Sequence, residues 1–287
     1  MSCLSVGALC LVVGCGSGGT LPGPFGLSLM RGNWLVVGTL PQLGLATPIT
    51  STAPQLAMSL DVQSGQIVGA ASLLTPCMNN SGILASFVGG ATKLVAGTPK
   101  SDGTFVLEDA LIGSNTVHQF VVRGTLPRSA AEGWSGTYTM TDPDPGCLPQ
   151  SGEFAAVPVS PVTGTFTGTG ALAGSSLPVT LSATLQQGVP GGMSIVGTPL
   201  IGENLISGTI SVSGSPCFTS GTITPGDGVL HGNYASLTFT MNNGSLMFMS
   251  ADVADTKTSS LTTTHLAVLG GACDKDDGFF TTTLLKQ

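Results

Sequence analysis

The stretch "GTFVLEDALI" (103–112) has the periodicity that decides the fold. Phe105 and Leu107 fall on one face, Thr104 and Glu108 on the other, as in a half-buried strand. "HQFVVRG" (118–124) and "GWSGTYTM" (133–140) continue the pattern, the latter with Trp134 and Tyr138 opposite Ser135, Thr137 and Thr139. Farther out, "LAMSLDV" (56–62), "LISGTISVS" (205–213) and "YASLTFTM" (234–241) also alternate. Turn signals separate such runs: "QSGQ", "KSDG", "DPDPG", "PGDG" and "NNG". No long segment has apolar residues at helical spacing, and the recurring Gly and Pro would interrupt one. The pattern predicts an all-β, antiparallel meander, built as two tandem β-barrel- or β-sandwich-like halves.

Composition narrows the setting. Of 287 residues only 8% are charged, against a typical quarter, while Gly reaches 42. Hydroxyls and amides, rather than ions, must keep such a surface wet. Mean hydropathy is +0.41, yet no stretch reaches the roughly 18–20 consecutive apolar residues of a membrane-spanning helix. A transmembrane barrel would alternate too, but needs aromatic girdles, and the chain holds two Trp and two Tyr. Net charge is −7, and the eight Lys and Arg are scattered, which excludes phosphate-neutralising nucleic-acid binding and a polybasic membrane face.

Residues 1–14, "MSCLSVGALCLVVG", are a short apolar segment ending in small residues, as in a secretory signal peptide. The following "VVGC" (12–15) resembles the lipobox of bacterial lipoproteins, and the Gly/Thr/Ser-rich remainder is similar in composition to β surface lipoproteins. The resemblance implies that Cys15 carries a diacylglyceryl thioether and, after cleavage, an acylated α-amine. Several acyl chains give stable anchoring where one is marginal. "GSGGTLPGPFG" (16–26) then reads as a flexible spacer. The expected order is signal peptide 1–14, tether 15–29, β domain 30–158 and β domain 159–287. The expected location is the cell envelope, at the outer membrane or cell surface.

Of seven cysteines, Cys3 and Cys10 fall in the signal and Cys15 at the anchor. Cys77, Cys147, Cys217 and Cys273 remain, an even number in an exported chain. An internal repeat selects their pairing. "QIVGAASLLTPC" (66–77) matches "LISGTISVSGSPC" (205–217), and "CLPQSGEF" (147–154) matches "CDKDDGFF" (273–280). The expected disulfides are Cys77–Cys147 and Cys217–Cys273, one in each half. Closing loops this long stabilises each half by roughly 4 kcal/mol in the chain-entropy model.

Catalytic motifs are missing. There is no Gly-x-Ser-x-Gly and no Ser-x-x-Lys. His118, His231 and His265 lie far apart and read as solvated or strand-edge residues. "GTGALA" (168–173) matches a dinucleotide fingerprint in letters only, because no βαβ unit surrounds it. Asp142 and Asp144, and Asp274, Asp276 and Asp277, flank equivalent cysteines and are weak calcium candidates, with Asx turns the simpler reading. Trp34, Trp134, Tyr138 and Tyr234 are few for a sugar-stacking platform, and the two Trp read as core.

These readings predict a non-enzymatic, lipid-anchored envelope protein with a structural or adhesive role and no cofactor. Its partners would be the membrane, through the anchor, and an envelope protein or glycan. A ligand-binding module for a lipid or glycan is the alternative, and a hydrolase the third reading. Digestion without reductant is expected to give Cys77–Cys147 and Cys217–Cys273 peptides; a Cys77–Cys217 or Cys147–Cys273 peptide would overturn the two-half pairing.

Overall fold

The computed structural model describes residues 26–38, 55–74, 93–110, 119–129, 132–141, 150–171, 178–193, 200–254, 260–271 and 282–287. A 3-10 turn at Leu27–Met30, at the end of the stretch read as tether, leads into the strands and fully buries Met30. The first eight strands are β1 Gly32–Gly38, β2 Gln55–Gln63, β3 Gln66–Leu74, β4 Lys93–Gly97, β5 Thr104–Ala110, β6 Gln119–Thr125, β7 Trp134–Thr141 and β8 Gln150–Pro158. The second eight are β9 Gly164–Ala171, β10 Pro178–Pro190, β11 Asn204–Ser213, β12 Ser220–His231, β13 Tyr234–Met241, β14 Leu246–Ala254, β15 Ser260–Leu269 and β16 Thr283–Lys286. Each set pairs antiparallel in chain order and closes on itself. β1 meets β8 with Leu35 opposite Val157, and β9 meets β16 with Thr167 opposite Leu285. The two halves are therefore closed barrels, not sandwiches.

Alternation sends the apolar side chains inward. On β10, Val179, Leu181, Ala183 and Leu185 are buried while Thr180, Thr184 and Gln186 are exposed. The wall of the second barrel is thus lined with hydroxyls outside and apolar inside, the reverse of a transmembrane barrel. An interior this size is just wide enough for side chains to fill. In the first barrel Trp134 sits at the centre of an aromatic cluster. Its ring packs edge-on against Trp34 at 5.9 Å, Phe105 at 5.3 Å and Phe154 at 5.0 Å. Trp34 donates its indole N–H to the Met30 carbonyl at 3.0 Å, which pins the 3-10 turn to the barrel. The second interior is built around Phe166, Phe218, Phe239, Met241, Met247 and Met249. Each large apolar side chain buried this way stabilises the fold by roughly 1.5–3 kcal/mol.

At the entry to β1, Arg31 Nε lies 2.7 Å from Asp61 Oδ1. Burial pushes the Asp61 carboxyl up, but hydrogen bonds from the Val62 amide and from the Gln63 and Arg31 side chains outweigh it and hold the pKa below the usual carboxylate value.

The internal repeat has a structural meaning. Ile67-Val-Gly69 and Ile206-Ser-Gly208 both fall on the third strand of their barrel, with each Ile buried in the core. A Cβ on Gly69 would overlap the Ser59 carbonyl oxygen of β2, and one on Gly208 the Thr184 carbonyl oxygen of β10. Only glycine lets the neighbouring backbone come that close as the sheet coils. Gly69→Ala and Gly208→Ala are each expected to lower stability by about 2–4 kcal/mol, read by thermal or urea unfolding. Gly65→Ala is not a fair control, because Gly65 has φ of 80° in its turn.

Candidate functional site

The connection between barrels is short and held at both ends. The Val159 amide donates to the Asn33 carbonyl at 2.9 Å, and Val162 is fully buried in the second core. Asn33 on β1 and Ser59 on β2 are register partners whose side chains face away from the first interior. Both are nonetheless buried, at 6% and 0% exposure, because the second barrel meets them there. Asn33 Nδ2 donates to Asn204 Oδ1 at 2.7 Å, and Ser59 Oγ donates to Asn33 Oδ1 at 2.7 Å. Ser59 Oγ in turn accepts from the Gly232 amide at 2.8 Å, and Asn204 Nδ2 donates to the Gly188 carbonyl at 2.8 Å. Gly232 opens the β12–β13 hairpin turn with φ of 55°. A Cβ there would stand 2.6 Å from Ala57 Cα, so the hairpin tip can dock against β2 only as glycine.

The residues next to these contacts carry the acid–base chemistry. Glu203 precedes Asn204, and His231 precedes Gly232. His231 Nδ1 lies 3.1 Å from Glu203 Oε1, a distance that suits an ion pair but lies off the hydrogen-bond direction, so Nδ1 has no hydrogen-bond partner. The ring faces outward from its barrel and is still only 7% exposed. Of the two readings made from the sequence, solvated or strand-edge, His231 is not solvated: it ends strand β12 and the seam covers it. Tyr234 stands opposite His231 across the hairpin, and Asp252 stands opposite Tyr234 on β14. Burial raises the Asp252 carboxyl above its ordinary pKa. Burial also raises the Tyr234 phenol, with the Asp252 charge adding and a hydrogen bond to Ser250 opposing. His265 is the register partner of Ser250, and partial burial lowers its pKa.

The other residues singled out in the sequence have different fates. Trp34, Trp134 and Tyr138 are core residues of the first barrel and form no exposed platform. Cys217 is disulfide-bonded. Cys15, Cys77, Cys147, Cys273, His118 and the calcium candidates Asp142, Asp144, Asp274, Asp276 and Asp277 lie outside the described residues. Among the described residues, no three His, Cys, Asp or Glu side chains are grouped to hold a metal. Sequence reasoning missed Asn33, Ser59, Asn204 and Glu203. One signal was present for Glu203: between Glu153 and Asp252 it and Asp227 are the only charged residues.

No family model matches the chain, and no curated protein matches it. Among solved structures, kievitone hydratase from Nectria haematococca is similar to it at 9% identity, over 93% of this chain and 94% of that one, with a TM-score of 0.23. A likeness of that size carries neither a fold nor an activity across.

Ser59→Ala is expected to lower stability by about 1–3 kcal/mol in urea unfolding, because it strands the Gly232 N–H and one bond of Asn33. Burial favours neutral His265, so its folded pKa lies below the usual 6.5. Its stabilising contribution is present above that value and lost as pH falls through the lowered one. His265→Gln is therefore expected to lose less thermal stability than the parent between about pH 7.5 and pH 5.

Proposed function

We propose that this chain is an exported protein, anchored in the cell envelope through lipid on Cys15, whose two barrels serve a structural or adhesive role. The observation that carries the role is the occupancy of the barrel interiors. Trp34, Phe105, Trp134 and Phe154 meet edge to face across the first, and a continuous cluster of Phe, Met and Leu side chains occupies the second. Apolar side chains of the described residues thus occupy interior space that a transporting or storing barrel would use for its cargo, which favours the structural reading. Function then falls to outer walls and loops. The anchor rests on "VVGC" (12–15) and on the Gly/Pro-rich run (16–26) that follows it in the sequence.

A second reading, a module for a small lipid or glycan ligand, is favoured by one atom. Trp134 Nε1 is buried in the first barrel without a hydrogen-bond partner, whereas its neighbour Trp34 has one. A ligand with an acceptor would satisfy it.

Cys15→Ala is expected to move the protein from the membrane fraction to the soluble fraction of the cell. Equal membrane association of the variant would defeat the lipid reading.

A further inference from the structure

The most exposed large apolar side chain among the described residues belongs to the end of the second barrel that meets the first. Val189, near the end of β10, is 82% exposed, and Met193, just past that strand, is 55% exposed. Neither stands on a loose end. The Gly191 amide donates to the Glu203 carbonyl at 2.8 Å, and the Leu200 amide donates to the Gly192 carbonyl at 3.0 Å. The Asn204 side chain holds the Gly188 carbonyl at 2.8 Å. Gly191 and Gly192, with φ of 97° and 117°, turn the chain in a way that other residues resist. A bonded backbone therefore presents two apolar side chains to the outside. Residues 188–202 carry no charge that entry into an apolar medium would strip of water. The next residue, Glu203, keeps its carboxylate 3.1 Å from His231 in the seam.

The chain arrives from its N-terminus at the same place. A Cβ on Gly202 would crowd the Ser59 carbonyl oxygen and stand 2.9 Å from the Leu60 amide nitrogen. Leu60 is the register partner of Gly32, the first residue of β1. Gly26 follows Cys15 by 11 residues, a run that reaches at most about 40 Å. The opposite end of the second barrel lies farther off by the length of its strands, about 30 Å for the ten residues of β11.

We propose that Val189 and Met193 dip into the interface of a neutral, zwitterionic bilayer, as a second contact beside the lipid on Cys15. This placement rests on the anchored reading for its setting. Two apolar side chains hold a bilayer weakly by themselves. A chain already tethered meets the bilayer at high effective concentration, so a weak contact is enough to fix its orientation. With no Lys or Arg between Glu153 and Asp252, this stretch offers anionic headgroups nothing to attract. The second barrel then stands with the end of β10 toward the lipid and the turn between β13 and β14 away from it.

The test uses the full chain on phosphatidylcholine vesicles whose acyl chains carry bromine, which quenches any indole that reaches it. Trp34 and Trp134 are buried in the first barrel and supply an unquenched background. Met193→Trp is expected to be quenched, and Leu246→Trp, at the far end where β14 begins, to stay bright. Adding Val189→Asp to the Met193→Trp protein is expected to lower the inserted-to-free ratio, read from that quenching, by about 10-fold or more. High salt is expected to leave the quenching unchanged. Both positions are exposed, so circular dichroism of every variant is expected to match the parent. Quenching is read on vesicle-bound protein, so a failed anchor and a failed contact give different results. The first leaves Cys15→Ala in the membrane fraction; the second leaves Met193→Trp bright on the vesicles. Equal quenching at Leu246→Trp, an unchanged ratio in the Val189→Asp protein, or protein that stays off the vesicles altogether would each overturn the proposal. So would a dimer of the Cys15→Ala protein that Val189→Asp dissolves, which would make a second copy the occupant.

Discussion

Closure of each sheet is the constraint on which everything else rests. Once β1 bonds to β8 and β9 to β16, neither barrel has a free edge among its strands. Closure demands coiling, and coiling brings one strand's carbonyl into the space where the next strand's Cβ would stand. Gly69 and Gly208 meet that demand at the same place in the two barrels. The abundance of glycine, which in isolation resembles low complexity, is in part the geometry of tight barrel walls. Closure also separates an apolar inside from an outside where threonine and serine can replace charge.

The second organising feature is the buried polar junction between barrels. Asn33, Ser59, Asn204 and the Gly232 amide bond to one another with little water, so each depends on its partner. Polar contacts of this kind specify one arrangement where an apolar junction would tolerate several. They also place Glu203 and His231 side by side, since each is the chain neighbour of a junction residue.

Much of the architecture was legible in the chain. Strand periodicity at Phe105–Leu107, Trp134–Tyr138 and along Tyr234–Met241 appears in the structure as buried and exposed faces. The repeated Ile-x-Gly appears on matching strands. Barrel versus sandwich was not legible, because both use the same alternation and differ only in whether the first and last strands meet. The junction was hidden for a different reason. Asn33 and Ser59 lie at outward positions of their strands, where a polar residue looks ordinary, and only the second barrel's arrival buries them. The burial of His231 was hidden on the same ground.

The distribution of aromatic residues has a spectroscopic consequence. Both tryptophans of the chain, Trp34 and Trp134, lie in the first barrel, in contact with each other. Indole emission therefore reports on that barrel alone, and energy passing between the two rings makes it sensitive to small changes in their separation. Circular dichroism of the peptide backbone weighs both barrels together. Recorded side by side during denaturation, the two signals distinguish a molecule that melts as one body from one whose halves part company, without any label being attached.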